Sequence, residues 1–140
     1  MCYNQCMDVQ RTKGAVYNLN YHLVWCPKYR RCVLTGQVAD RLRVLLHDIA
    51  VCNGFEVLAC EVMPDHVHVF VSAPPRNSPA ELARLLKGVT SRYLRQDLSE
   101  QIRRQVYKPG TLWSPSYYVG TAGSVSSDVI RRYIEKCQHI

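Results

Sequence analysis

The sequence predicts an α+β domain of order βαββαβ with one further helix at its C-terminal end. Three observations predict it. Apolar residues recur at every second position in residues 16–25 and 66–73, the spacing of strands. They recur at helical spacing in residues 37–51, after Ser78 and in residues 127–138. Asn53-Gly54, Pro64-Asp65 and the stretch PPRN separate these segments with turn chemistry.

The elements follow in order. Residues 1–13 read as a polar, mobile tail, and 14–140 as a single domain. From Val16, residues Tyr17, Leu19, Tyr21, Leu23 and Trp25 share one face, and Asn18, Asn20 and His22 share the other. Pro27 ends this strand and the cations Lys28, Arg30 and Arg31 follow. A helix over Gln37–Val51 carries Val38, Leu42, Leu45, Leu46 and Ile49 on one stripe, with Gly54 just past its end. A second strand runs over Phe55–Met63, turns at Pro64-Asp65 and pairs as a hairpin with a third strand, His66–Ala73. Ser78, Pro79 and Glu81 form a helix start: the serine caps, proline takes the first position and glutamate lies three residues on. That helix should bury Leu82, Leu85, Leu86, Val89 and Tyr93 and expose Arg84, Lys87, Arg92 and Arg95. A short helical piece over Ser99–Val106 ends before Pro109-Gly110. TLWSPSYYVG reads as a fourth strand, irregular at Pro115, followed by a Gly- and Ser-rich connector. The last helix carries Val129, Ile130, Tyr133, Ile134 and Cys137 on its apolar stripe. This order is the ferredoxin-like arrangement, an antiparallel sheet with helices on one face.

Composition narrows the partners. The 140 residues hold 18 Lys and Arg against 11 Asp and Glu, a formal charge of +7 that suits a polyanion, nucleic acid above all. No apolar run reaches the roughly 20 residues of a membrane helix. The N-terminal stretch lacks a signal-peptide core, so a cytoplasmic protein is expected. Seven cysteines, an odd number without a CxxC pair, point to reduced thiols.

The stretch MPDHVHVFV carries the chemistry. His66, His68 and Phe70 share one face of a strand, and Val67, Val69 and Val71 the other. If the valines face the helices, the histidines lie on the open face in mid-sheet. Two imidazoles so spaced can bind one metal ion, although a bare His-x-His is more often a pair of satisfied histidines.

With YHLVWCPKYRR, EVMPDHVHVFV, LKGVTSRYLR, LWSPSYYVGTAG and VIRRYIEKCQ in this order over residues 17–138, the sequence resembles the single-tyrosine HUH transposases, the TnpA-type enzymes of small bacterial and archaeal insertion sequences. The resemblance implies a metal-dependent enzyme that cuts and rejoins single-stranded DNA through a 5′-phosphotyrosine. It implies recognition of hairpins at element ends. It implies Tyr133 as the nucleophile, carried on the C-terminal helix, although its place on the apolar stripe also suits packing. It implies His66 and His68 as ligands of Mg²⁺ or Mn²⁺, with a glutamine as third ligand. Here the sequence departs from the family. Gln138 lies five residues after Tyr133, about 140° around a helix, where four residues would be about 40°. Position 137 is a cysteine, whose thiolate suits zinc better than magnesium. Lys28, Arg30, Arg31, Arg76, Lys87, Arg92 and Arg95 are candidates for phosphate contacts, and Trp113, Tyr117 and Tyr118 for base stacking or core. The resemblance further implies a homodimer whose C-terminal helices can exchange.

Two other readings fit the same order. A non-catalytic module like the RNA-recognition domains would use sheet aromatics, where this chain has histidines. A repeat-associated tyrosine transposase-like protein or a replication-initiator HUH nuclease would share the chemistry but serve another role.

Overall fold

The computed structural model describes residues 10–12, 14–105 and 112–121. Its elements are β1 (Gln10–Thr12), β2 (Ala15–Tyr17), β3 (Asn20–Trp25), α1 (Gly36–Asn53), β4 (Glu56–Met63), β5 (His66–Ser72), α2 (Pro79–Asp97), α3 (Ser99–Gln105) and β6 (Tyr118–Thr121). The main sheet has the order β4-β5-β3-β6, every pairing antiparallel. The ferredoxin-like βαββαβ arrangement is therefore present, with β3 and β5 at its centre.

Alternation decides which face meets the helices. Leu23, Trp25, Val67, Val69 and Val71 are buried in one core with Leu42, Leu46 and Ile49 of α1 and Leu82 and Leu86 of α2. A one-residue slip of β5 would drive the valines out of that core and the histidines into it, so the register is strongly fixed. Burying each such aliphatic side chain contributes roughly 1.5–3 kcal/mol.

The helix termini follow from local chemistry. Gly54 closes α1 in the left-handed conformation at φ 75°, and its N–H reaches the Ala50 carbonyl. Ser78 caps α2, its Oγ accepting the Glu81 N–H at 3.1 Å. Ser78→Ala should therefore lower stability by about 1 kcal/mol in urea denaturation; an unchanged midpoint would show the cap to be idle.

Four expectations are corrected. Tyr93 is 36% exposed, whereas Leu82, Ala83, Leu86, Thr90 and Leu94 are buried. The inner row of α2 advances in steps of four residues, which carries Tyr93 off it; Leu85 and Val89 pack only partly. The first strand is interrupted at Asn18-Leu19 and so yields β2 and β3. Gln10–Thr12, read as part of the tail, pair with β2 as a short hairpin. The fourth strand proper is only Tyr118–Thr121, because Pro115 breaks the ladder. Before that break, Trp113 bridges Pro27, and Ser114 N–H donates to the Cys26 carbonyl at 2.9 Å. The last helix, with Tyr133, Cys137 and Gln138, and the connector before it lie outside the described residues. Among the described residues no helix is long and apolar enough to cross a membrane.

Candidate active site

β5 delivers His66 and His68 to the sheet face opposite the helices, as alternation requires. That face was expected to be open. It is closed around the imidazoles: His66 is 7% exposed and His68 0%. His22 of β3, opposite Phe70 in the register, lies flat on the Phe70 ring with centroids 4.7 Å apart. Tyr118 of β6 sets its edge against His22 at 5.9 Å. Gly120 leaves room for this, since a Cβ there would stand 2.5 Å from the Tyr118 hydroxyl oxygen.

Each histidine of the pair has one nitrogen engaged and one unengaged. His66 Nδ1 is 2.7 Å from Asp65 Oδ1, and His68 Nδ1 is 3.2 Å from His22 Nε2. Nε2 of both is buried with no hydrogen-bond partner among the described residues. The ring centroids are 4.9 Å apart. Buried polar atoms normally find partners, so two adjacent orphaned ones mark a place for something that accepts lone pairs or donates to them. Among the described residues no group of three or more His, Cys, Asp or Glu side chains is clustered for a metal ion. The pair is thus at most part of a ligand set.

The two histidines line a cavity of about 380 Å³ together with Val24, Trp25, Cys26, Arg30, Ser116, Tyr117 and Tyr118. The turn Lys28–Arg30 contributes Arg30 to its lining. Tyr29 and Arg30 both have positive φ, 62° and 52°. For side chains with a Cβ this is costly, about 1–2 kcal/mol per residue, and persists only where the surroundings hold it. Here Lys28 N–H donates to the Leu112 carbonyl and Arg30 N–H to the Pro27 carbonyl. The turn leaves Tyr29 70% exposed, with Lys28 Nζ 5.7 Å and the Arg31 guanidinium 5.9 Å from its ring centre. Arg30 bends back to Asp65 at 3.1 Å. Asp65 is thereby held below the usual carboxylate range, first by its hydrogen bond with His66 and then by the Arg30 charge.

The opposite wall is fixed by α2. Lys87 Nζ donates to the carbonyls of Ser114 and Ser116 at 2.8 and 3.1 Å. Trp113 Nε1 donates to Thr90 Oγ1 at 3.0 Å, and Thr90 in turn bonds the Leu86 carbonyl. Trp113 is therefore a core residue, while Tyr117 and Tyr118 stay 38% and 55% exposed on the cavity.

Of the seven cationic candidates, the structure brings Arg30 to the cavity, with Lys28 and Arg31 next to it in sequence but outside the lining. Lys87 serves the wall through its ammonium. Arg76, Arg92 and Arg95 do not line the cavity; Arg95 bonds Ser91 within its own helix and Arg92 lies over Tyr93. The sequence reading passed over His22 and Asp65 as site residues. The signals were present: His22 alternates onto the face that the histidine pair shares, and Asp65 directly precedes His66.

Burial holds the His22 and His68 pKa values down to about 4; for His68 the neighbouring His66 and His22 add to the effect. Unfolded histidines take up protons near pH 6.5. The stability these groups contribute is therefore complete above that value and is lost as pH falls towards 4. At pH 5 one such group should cost about 2 kcal/mol. Urea midpoints in chelator should fall between pH 7 and pH 5; equal midpoints would mean that the pair is hydrated and protonates freely in the fold.

Comparison with known proteins is consistent across sequence and fold. The family profile described as IS200-like transposase matches residues 15–137. The ISDra2 transposase TnpA of Deinococcus radiodurans is 42% identical over 133 residues, 95% of this chain and 93% of that one. The transposase for insertion sequence element IS200 of Salmonella typhimurium is 28% identical over 123 residues, 86% of this chain and 80% of that one. A candidate transposase from Deinococcus radiodurans R1, solved by crystallography, superposes with a TM-score of 0.73 at 40% identity, covering 91% of this chain and 96% of its own. A repeat-associated (REP) tyrosine transposase bound to a REP hairpin shares the fold at a TM-score of 0.60 and 16% identity, over 93% of this chain and 73% of its own.

Proposed function

The chain belongs to the IS200-like transposases, and on that premise we propose that it cuts and rejoins single-stranded DNA with Tyr133 as nucleophile and one divalent cation, Mg²⁺ or Mn²⁺. The observation that carries the reading is the pair of orphaned Nε2 atoms of His66 and His68 on one cavity wall.

The residues present suit such an ion. Two imidazoles, each held at its Nδ1, line one cavity with both Nε2 atoms unpartnered among the described residues, and further oxygen ligands would have to come from substrate, water or Gln138. When bound, the ion supplies Lewis-acid stabilisation of charge on the phosphate oxygens. The chain's own groups do the rest. The Tyr133 hydroxyl oxygen attacks phosphorus and forms a phosphotyrosine bond. The bond to the 3′-oxygen breaks, that oxygen takes up a proton, and the tyrosine loses its own. A free phenol has a pKa near 10, so its deprotonation needs this polarised setting. Because the ester preserves the bond energy, a second 3′-hydroxyl can displace the tyrosine by the reverse route.

Substrate positioning follows from the cavity. Arg30, which lines the cavity, would meet a phosphate, with Lys28 and Arg31 beside it, and Tyr117 and Tyr118 would stack unpaired bases on their exposed rings. Hairpin recognition at element ends is supported by the shared fold of the transposase held on a REP hairpin. A homodimer, with the C-terminal helix of one subunit serving either site, and a single domain over residues 14–140 complete the proposal.

The test is incubation with single-stranded oligonucleotides from sequence flanking the gene, with and without Mn²⁺, read on a denaturing gel. A cation-dependent protein–oligonucleotide species is expected. Hairpin binding without any such species would leave a binding module instead.

A further inference from the structure

We propose that His22 is a positioning residue, whose Nε2 accepts the Nδ1 proton of His68 and so holds His68 in the tautomer that offers its Nε2 lone pair to a cation. The inference rests on the metal reading of the His66–His68 pair given above.

A neutral imidazole has one N–H and one lone pair, and whatever its first nitrogen bonds determines what the second can do. For His66 the choice is forced. Asp65 Oδ1, 2.7 Å from Nδ1, is a carboxylate oxygen that only accepts, so the proton sits on Nδ1 and the lone pair on Nε2. Among the described residues no carboxylate is hydrogen-bonded to His68, although Glu61 of β4 pairs with it in the register. The group 3.2 Å from its Nδ1 is another imidazole nitrogen, Nε2 of His22. Two polarities satisfy that contact. If His22 donated, the His68 proton would sit on Nε2, buried with no acceptor among the described residues and turned against any cation. If His68 donates, its Nε2 becomes a ligand equivalent to that of His66, and the remaining proton moves to the buried Nδ1 of His22, a ring that does not line the cavity.

The ring of His22 is held for this task. It stacks on Phe70 with an interplanar angle of 6°, and its plane lies 16° from that of His68, as a hydrogen bond running in both ring planes requires. It is 3% exposed. Because β3 pairs with β5 antiparallel, His22 lies diagonal to His68, which pairs directly with Val24. That offset sets the nitrogens against each other. The pair is thus backed asymmetrically, by a carboxylate on one side and an imidazole on the other.

The test reads the protein without catalysis. Ring ¹⁵N shifts of His68 in the metal-free wild type should show Nδ1 protonated and Nε2 not. In His22→Phe, which keeps the stacked ring and removes the acceptor, the two tautomers should mix and Mn²⁺ affinity by calorimetry should fall about 10–100-fold. His22→Gln, whose amide oxygen accepts, should restore most of that affinity. Backbone amide spectra check that each variant is folded. A wild-type His68 protonated at Nε2 overturns the inference whatever the variants do. So does His22→Phe with wild-type Mn²⁺ affinity, while leaving the metal reading intact. A wild type that binds neither Mn²⁺ nor Mg²⁺ overturns the metal reading, and the inference with it.

Discussion

Tyr133→Phe is expected to abolish the covalent protein–DNA species, by at least about a thousandfold, while hairpin binding stays at wild-type strength. The change removes one oxygen atom. On the proposed chemistry that oxygen is the atom bonded to phosphorus, and no remaining group of the ring can replace it. Phenylalanine keeps the ring for the packing that the sequence pattern expects with Val129 and Ile130. A purely structural tyrosine would therefore tolerate the substitution with little loss of stability. The two roles separate cleanly: a variant that folds, binds and forms no adduct identifies a nucleophile, and one that still forms the adduct identifies another residue. Tyr117 and Tyr118 are the natural competitors, since both line the cavity that holds the histidine pair.

His68→Ala is expected to weaken Mn²⁺ binding by at least about a hundredfold and to remove cation-dependent cleavage. Changing a residue behind a ligand typically costs 10–100-fold, and deleting a ligand removes the donor itself. His68 is the more informative of the two histidines because removing His66 would also release Asp65, its partner at 2.7 Å. Undiminished nicking by this variant would count against the metal site. Subunit mixing extends the result. Combining Tyr133→Phe subunits with His68→Ala subunits restores one intact site if the helix serves its partner, and none if each subunit serves itself.

Much of this architecture was legible because it is written locally. The Val67, Val69 and Val71 alternation, the Ser78 cap with Pro79 and the left-handed Gly54 each depend on a few neighbouring residues, and each stands as the pattern implies. The α2 stripe was misread at Tyr93 because a residue one step off the inner row still falls within the broad apolar arc of a helix. What could not be read was contact between distant segments. His22 meets His68 across 46 positions of sequence, and Lys87 meets Ser114 across 27. Whether a histidine face is open or closed depends on such meetings, so His66 and His68 could be placed on the correct face but not recognised as buried. Among the cations, exposure on a helix said nothing of distance from the site, which is why Arg92 and Arg95 were grouped with Arg30. The paired left-handed residues Tyr29 and Arg30 carry no glycine to announce them; the turn is held by the backbone bonds of Lys28 to Leu112 and of Arg30 to Pro27.

The most direct measurement is the identity of the residue that carries DNA after a single turnover in Mn²⁺, found by protease digestion and mass spectrometry of the trapped wild-type species. The account predicts a nucleotide-bearing phosphotyrosine in the peptide that contains Tyr133, and none in chelator. A nucleotide on Tyr117, Tyr118 or any residue other than Tyr133, or an adduct that forms equally without a cation, would contradict it.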